Sequence, residues 1–90
     1  MIGVDQALGA RARIRILLEL YKVVEINTTS LAKALDMNYG QLDRHLRLLI
    51  KAGLVEEYRI GRVRIVRLKN DPRVLDLVKA LAAFGEGKRA

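Results

Sequence analysis

The chain has no cysteine and no tryptophan, one proline, one histidine and only four aromatic residues, three tyrosines and a phenylalanine. Without cysteine there is no disulfide to staple the fold and no thiolate to bind metal or attack a substrate. A single histidine makes no metal site without several partners, and no glycine-rich phosphate loop is present. An enzyme needs a nucleophile, a base or a metal in a pocket, and Asp36 and Asp43 are not a convincing carboxylate pair, so neither catalysis nor a cofactor is expected. The scarcity of aromatics argues against a stacking platform for single-stranded nucleic acid. Apolar runs are also short. None exceeds five residues, against the ~20 that cross a bilayer, and no signal-peptide pattern is seen. These absences lead us to expect a cytoplasmic protein with no membrane partner. The missing cysteine and the few Asn and Gln also suit a heat-adapted chain.

What is abundant is positive charge. Seventeen Lys and Arg stand against ten Asp and Glu, a net charge of +7. A balance of that size attracts polyanions, either nucleic acid or an anionic membrane surface. A basic surface that serves only solubility is the plainer alternative. With 51% hydrophobic and 30% charged residues the chain reads as globular. Its 90 residues are expected to form one domain over 1–85 with a flexible basic tail over 86–90. So small a domain buries only about 60% of its unfolded surface, so oligomerisation or unusually good helix packing has to make up the difference.

The apolar periodicity predicts helix, helix, helix, hairpin, helix. The first helix is expected from about Val4 to Val23, with Ile14, Leu17, Leu18, Leu20 and Tyr21 as its apolar stripe and Gly9 as a point where it can break. Val24 to Asn27 reads as an extended link. In Asn27-Thr28-Thr29-Ser30 the hydroxyls are candidates to cap a second helix whose Leu31 and Leu35 face inward, and Asp36-Met37-Asn38 reads as a turn. Asn38 caps a third helix, from about Tyr39 to Ala52. Leu42, Leu46, Leu49 and Ile50 line its buried side, Gln41, Arg44, Arg47 and Lys51 line the other, and Gly53 ends it. Leu54 to Leu68 has the composition of a hairpin turning at Gly61. Its alternation is imperfect, which predicts either a bulge near Ile65 or a tip standing clear of the core. Asn70-Asp71-Pro72 starts a last helix, expected to end near Phe84.

A short capped helix, a tight turn and a helix with basic and amide groups on one face make a helix-turn-helix. The major groove admits such a helix, and its N-terminal residues meet base edges. Asn38, Tyr39, Gly40 and Gln41 occupy that end. Gln41 suits adenine, Arg44 suits guanine, and Gly40 allows close backbone approach. Arg47 and Lys51, further along, suit phosphate. Between Tyr58 and Lys69 lie five basic residues and no acid. Of these, Arg59, Arg62 and Arg64 are read as a grip on the DNA backbone or minor groove. Protection of a strand edge is the structural alternative. Asp43 is read as a local brake on non-specific affinity. Arg15 is expected to pair with Glu19 at i,i+4.

Three stretches, Ala7-Leu8-Gly9 with Arg13 to Leu18, Leu42 to Leu49 with Ala52-Gly53-Leu54-Val55, and Gly61-Arg62 with Arg67-Leu68, give the chain its resemblance to the winged helix-turn-helix repressors of the arsenical-resistance (ArsR-like) class, small archaeal members included. The resemblance implies a mainly α fold with a three-helix core, a β-hairpin wing and a C-terminal dimerisation helix. It also implies sequence-specific binding of double-stranded DNA by a homodimer that pairs through its first and last helices. The last helix is apolar over more than half its circumference, a surplus that marks a protein–protein surface. Leu8, Val74, Leu77, Val78, Leu81 and Phe84 are the expected dimer contacts. Ala10-Arg11 stands where the family often has Asn or Asp before Pro, so the first two family helices are expected to be fused. The Cys pair and the His-carboxylate set of the metal-sensing members are missing, so no metal and no small-molecule effector is expected. His45 is expected to be partly buried. An abundant architectural protein with little sequence preference is the alternative function.

Overall fold

Helix α1 spans Arg11–Tyr21 and buries Ile16, Leu17 and Leu20, three positions on one face. The structure is a computed structural model, and it describes residue 3 and residues 7–87. The start expected at Val4 lies outside them. Within them, the helix expected from about Val4 to Val23 breaks at the point that Gly9 marks, so the first two family helices are not fused. Ala7 donates to the Gly3 carbonyl (3.0 Å), Leu8 to Ala10 turn away, and Ala10 is extended at φ −127° and ψ 135°. Gly9 sits in this turn, where its high cost in a helix interior favours a break over fusion.

Strand β1 (Ile26–Asn27) leads directly into α2 (Thr28–Leu35), which is followed by α3 (Tyr39–Lys51). The caps differ in detail from expectation. The Asn27 side-chain oxygen, rather than a hydroxyl, accepts from the Ser30 N–H (2.8 Å), so α2 begins at Thr28 and the Thr28 side chain is buried. Asn38 does the same for Gln41 (2.8 Å). Both helices close in a Schellman motif. Met37 N–H reaches the Ala32 carbonyl (3.0 Å) across a left-handed Asp36 (φ 52°), and Leu54 N–H reaches the Leu49 carbonyl (3.0 Å) across Gly53 (φ 79°). Leu49 and Leu54 are both buried, the apolar contact that accompanies this motif.

Strands β2 (Val55–Ile60) and β3 (Val63–Leu68) pair antiparallel in unbroken register from Val55↔Leu68 to Ile60↔Val63, so there is no bulge. The exposed tip accounts for the imperfect alternation, with Ile60 and Val63 both in solvent. Gly61 (φ 61°) takes the first position of the two-residue loop. Arg62 is not among the positive-φ residues, which makes the turn type II′. The presumed link before α2 is in part a third strand. β1 pairs with β3 through Ile26↔Val66 and Asn27↔Ile65, giving the order β1-β3-β2. Helix α4 spans Pro72–Gly87, past the Phe84 end expected. Asp71 caps it by accepting from the Arg73 N–H (2.8 Å), and the bonds from Arg73 hold its carboxyl at about 2.

The core is one cluster drawn from every helix and from the sheet: Leu17, Leu20, Leu31, Leu42, Leu46, Leu49, Val66 and Val78 are among its fully buried members. Each large apolar side chain buried in this way contributes roughly 1.5–3 kcal/mol. Val74 and Val78 belong to this core, which corrects their expected place on a dimer surface. They cover α1 within their own protomer, because α1 and α4 lie against each other.

Candidate nucleic-acid interface

Helix α3 buries Leu42, Leu46 and Leu49. Helical periodicity therefore turns Gln41, Arg44, Arg47 and Lys51 outward, and all four are exposed. The Asn38 oxygen is spent on the cap at the N-terminal end, where Gly40 is exposed beside it. A Cβ on Gly40 would meet only the Asn38 side chain, at 3.5 Å, so its bareness is not forced by the chain's own packing. Across a shallow cleft from this end lies the wing. Arg59 and Arg62 are exposed there and line the cleft with Asn27, Thr28, Thr29, Tyr39, Val63 and Arg64.

Arg64 is where the geometry corrects the expectation. It was read with Arg59 and Arg62 as a DNA grip, yet its side chain is only 7% exposed. Arg64 and Val66 alternate onto the same inward face of β3. The guanidinium donates through Nη1 to Asp43 Oδ1 on α3 (2.6 Å) and through Nε to Glu57 on β2. The Tyr39 hydroxyl is 3.5 Å from the same Nη1 and 3.4 Å from Thr28 Oγ1, both long contacts. Burial works against the charge, and the bonds to Tyr39, Glu57 and Asp43 together outweigh it, holding Arg64 firmly cationic. The Arg64 bond, with help from Arg47, keeps the Asp43 carboxyl below its usual range. The contact with Thr28, then that with Arg64, does the same for the Tyr39 phenol. Asp43 Oδ2 also accepts from Arg47 Nε (2.9 Å), so Asp43 is a tether for two arginines as well as a negative charge. Sequence reasoning missed Glu57 and Thr28 in this network. One signal for Arg64 was present, since its parity in the strand matches that of Val66 and Leu68.

Other arginines have structural partners. Arg15 Nη2 donates to the Leu35 carbonyl (2.8 Å) instead of pairing with Glu19, which is 3.5 Å from Lys22. This contact ties α1 to the end of α2. Arg13 Nε donates to the Ala7 carbonyl (2.9 Å), and its Nη1 lies 3.3 Å from His45 Nδ1. Burial, then the charges of Arg13 and Arg44, hold the half-buried His45 imidazole below its ordinary range, which favours the neutral ring. On the outer face of the sheet Arg67 lies 5.4 Å from the Tyr58 ring centroid, and Tyr58 donates to Glu25 (2.6 Å). That bond to Glu25 raises the Tyr58 phenol. Among the described residues there is no group of three His, Cys, Asp or Glu able to hold a metal, and no helix long and apolar enough to cross a membrane.

The sequence matches the description "bacterial regulatory protein, arsR family" over residues 11–57. No curated protein matches it. Among solved structures it is similar to a homodimeric winged helix-turn-helix DNA-binding domain from Mycobacterium bovis, a possible ArsR-family regulator (28% identity, TM-score 0.79, covering 92% of this chain and 75% of that one). It is also similar to a transcriptional regulator homologue from Pyrococcus horikoshii (25% identity, TM-score 0.75, 93% and 85%). The HlyU protein of Vibrio cholerae shares the fold (23% identity, TM-score 0.81, 88% and 84%).

Proposed function

The chain belongs to the arsR family of bacterial regulatory proteins and is a DNA-binding transcriptional regulator, not an enzyme; on that footing we propose that it acts as a homodimeric repressor on the chromosome, in the cytoplasm. The observation that carries the reading is the exposed face of α3, Gln41, Arg44, Arg47 and Lys51, set beside the exposed wing arginines Arg59 and Arg62. Tyr39, Gly40, Gln41 and Arg44 meet base edges in the major groove. Arg47, Lys51, Arg59 and Arg62 hold phosphate or the flanking minor groove. Residues 1–85 act as a single binding domain.

The pairing surface is the strip Leu77, Leu81 and Phe84 on α4, three residues that helical spacing puts on one face, with Leu8 beside α1. Phe84 is 76% exposed, a large apolar side chain with no cover from its own protomer. The relative from Mycobacterium bovis is homodimeric, which supports the same assembly here. Two copies related by a two-fold axis put their α3 helices about one turn of DNA apart, so the operator is an inverted repeat.

The test is a titration of wild type against a random duplex and a duplex selected from a randomised pool, at several salt concentrations. Specific binding is expected to exceed non-specific binding by about 10³-fold or more, with an inverted repeat in the selected site. Equal, steeply salt-dependent binding to every duplex would replace this reading with an architectural one. Arg44→Ala is expected to cost about 1–3 kcal/mol and relax base preference. Arg62→Ala is expected to weaken all duplexes alike and to reduce the salt slope by about one. The opposite pattern would reverse the two roles.

A further inference from the structure

We propose that Arg64 is a positioning residue for DNA reading: by joining Asp43 of α3 to Glu57 of β2, it sets the angle of the wing against the recognition helix and so controls sequence discrimination without touching DNA. The inference rests on the DNA-reading assignment and goes beyond it, because that assignment names only exposed residues.

Three observations lead here. The guanidinium is buried, and its bond to Asp43 is, among the described residues, the one side-chain ion pair that joins the wing to α3, while its bond to Glu57 ties it across the hairpin to β2, as Arg67–Glu56 does further along. A buried ion pair is a poor stabiliser compared with apolar residues of the same volume, and its best-attested use is to select one arrangement over others. Here the arrangement selected is that of the wing relative to α3. Finally, Arg64 bonds end on groups of the reading face itself. Asp43 also holds Arg47 Nε at 2.9 Å, and the Tyr39 hydroxyl lies 3.5 Å from Arg64 Nη1. Loosening Arg64 releases the wing, and it frees Asp43 to swing with Arg47. The two planar nitrogens used in different directions explain the choice of arginine, because lysine offers a point charge and no fork.

Three roles for Arg64 separate cleanly by experiment. A phosphate contact contributes to the salt slope. A purely structural residue changes the folded fraction, which scales binding to every duplex equally. A positioning residue changes the ratio of selected to random affinity and leaves the salt slope alone.

The experiment is therefore the salt-series titration of full-length Arg64→Gln, Asp43→Asn and Glu57→Gln, with Arg62→Ala as the phosphate control. For Arg64→Gln and Asp43→Asn the ratio is expected to fall about tenfold, comparable to one mismatched base pair. The salt slope of Arg64→Gln on random duplex is expected to stay at the wild-type value while that of Arg62→Ala drops. Should Arg64→Gln fail to fold, the two acceptor variants carry the test, since each removes a carboxylate charge while nearly preserving shape. An unchanged ratio in the folded variants overturns the proposal, as does a slope reduced by about one in Arg64→Gln. A wild type that itself fails to discriminate overturns the DNA-reading assignment, and this proposal with it; discrimination kept by wild type and variants alike overturns this proposal alone.

Discussion

Asp36 stands in the left-handed region at φ 52°, the position that ends α2 and opens the turn of the helix-turn-helix. A left-handed L-residue costs roughly 1–2 kcal/mol, and Asp is among the few types that tolerate it. Its neighbour in role, at the end of α3, is Gly53, which carries no such cost. Asp36→Gly is therefore expected to stabilise the protein by about 0.5–1 kcal/mol, after the greater chain entropy of glycine is offset. Urea unfolding checks it: the midpoint should rise at unchanged slope. A lower midpoint would mean that the Asp36 side chain contributes something beyond its backbone. The same scale separates arginines that are alike in sequence. Arg62 and Arg64 are two residues apart, yet one is at the turn in solvent and the other is buried on two carboxylates.

At the scale of elements, the capped α3 is the part whose existence, limits and buried side were legible in advance. Asn38, Gly53 and the leucines at steps of four and three state all three. Asn38 has a double claim, as cap and as a neighbour of DNA. The cap bond of 2.8 Å to Gln41 makes its oxygen a structural group first. Asn38→Ala is expected to lose about 1 kcal/mol of stability, and Asn38→Ser to keep most of it. If Asn38→Ser instead lost selectivity for the selected duplex at full stability, the side chain would be a base contact as well. The hairpin was legible as an element but not in its inward content. The extended backbone of β1 was legible in the link Val24 to Asn27, but its place in a sheet was not, because two residues carry no period and only pairing with Val66 and Ile65 reveals it. The break before α1 was foreshadowed by Gly9, but the extended Ala10 was not, as no cap residue announces it.

At the scale of the molecule, α4 serves two purposes. Val74 and Val78 close the core, Leu77 packs against its edge, and Phe84 is left exposed. A single sequence stripe therefore divides between buried and exposed positions, and only the placement of α1 against α4 divides it. Phe84→Glu is expected to shift the protein toward monomer in sedimentation while leaving its thermal unfolding nearly intact, since the side chain is three-quarters exposed. Half-site duplex binding should survive and full-site affinity should fall. A variant that stays dimeric would move the interface off this strip.

The sequence by itself determined the class of the molecule. A basic, cysteine-free chain with two capped helices around a three-residue turn, followed by an arginine-rich hairpin, reads as a winged helix-turn-helix, because caps, periods and turns are local signals written in consecutive residues. Only the tertiary structure decided which arginines stay exposed and which are held by partners. Arg64, Arg15 and Arg13 each have partners on another element, separated in sequence by 7–32 residues, and the pairing of distant groups is not a property of any local pattern. The same holds for Val74 and Val78 on the one side and Phe84 on the other. Burial depends on what arrives from elsewhere in the chain, and that is set by packing.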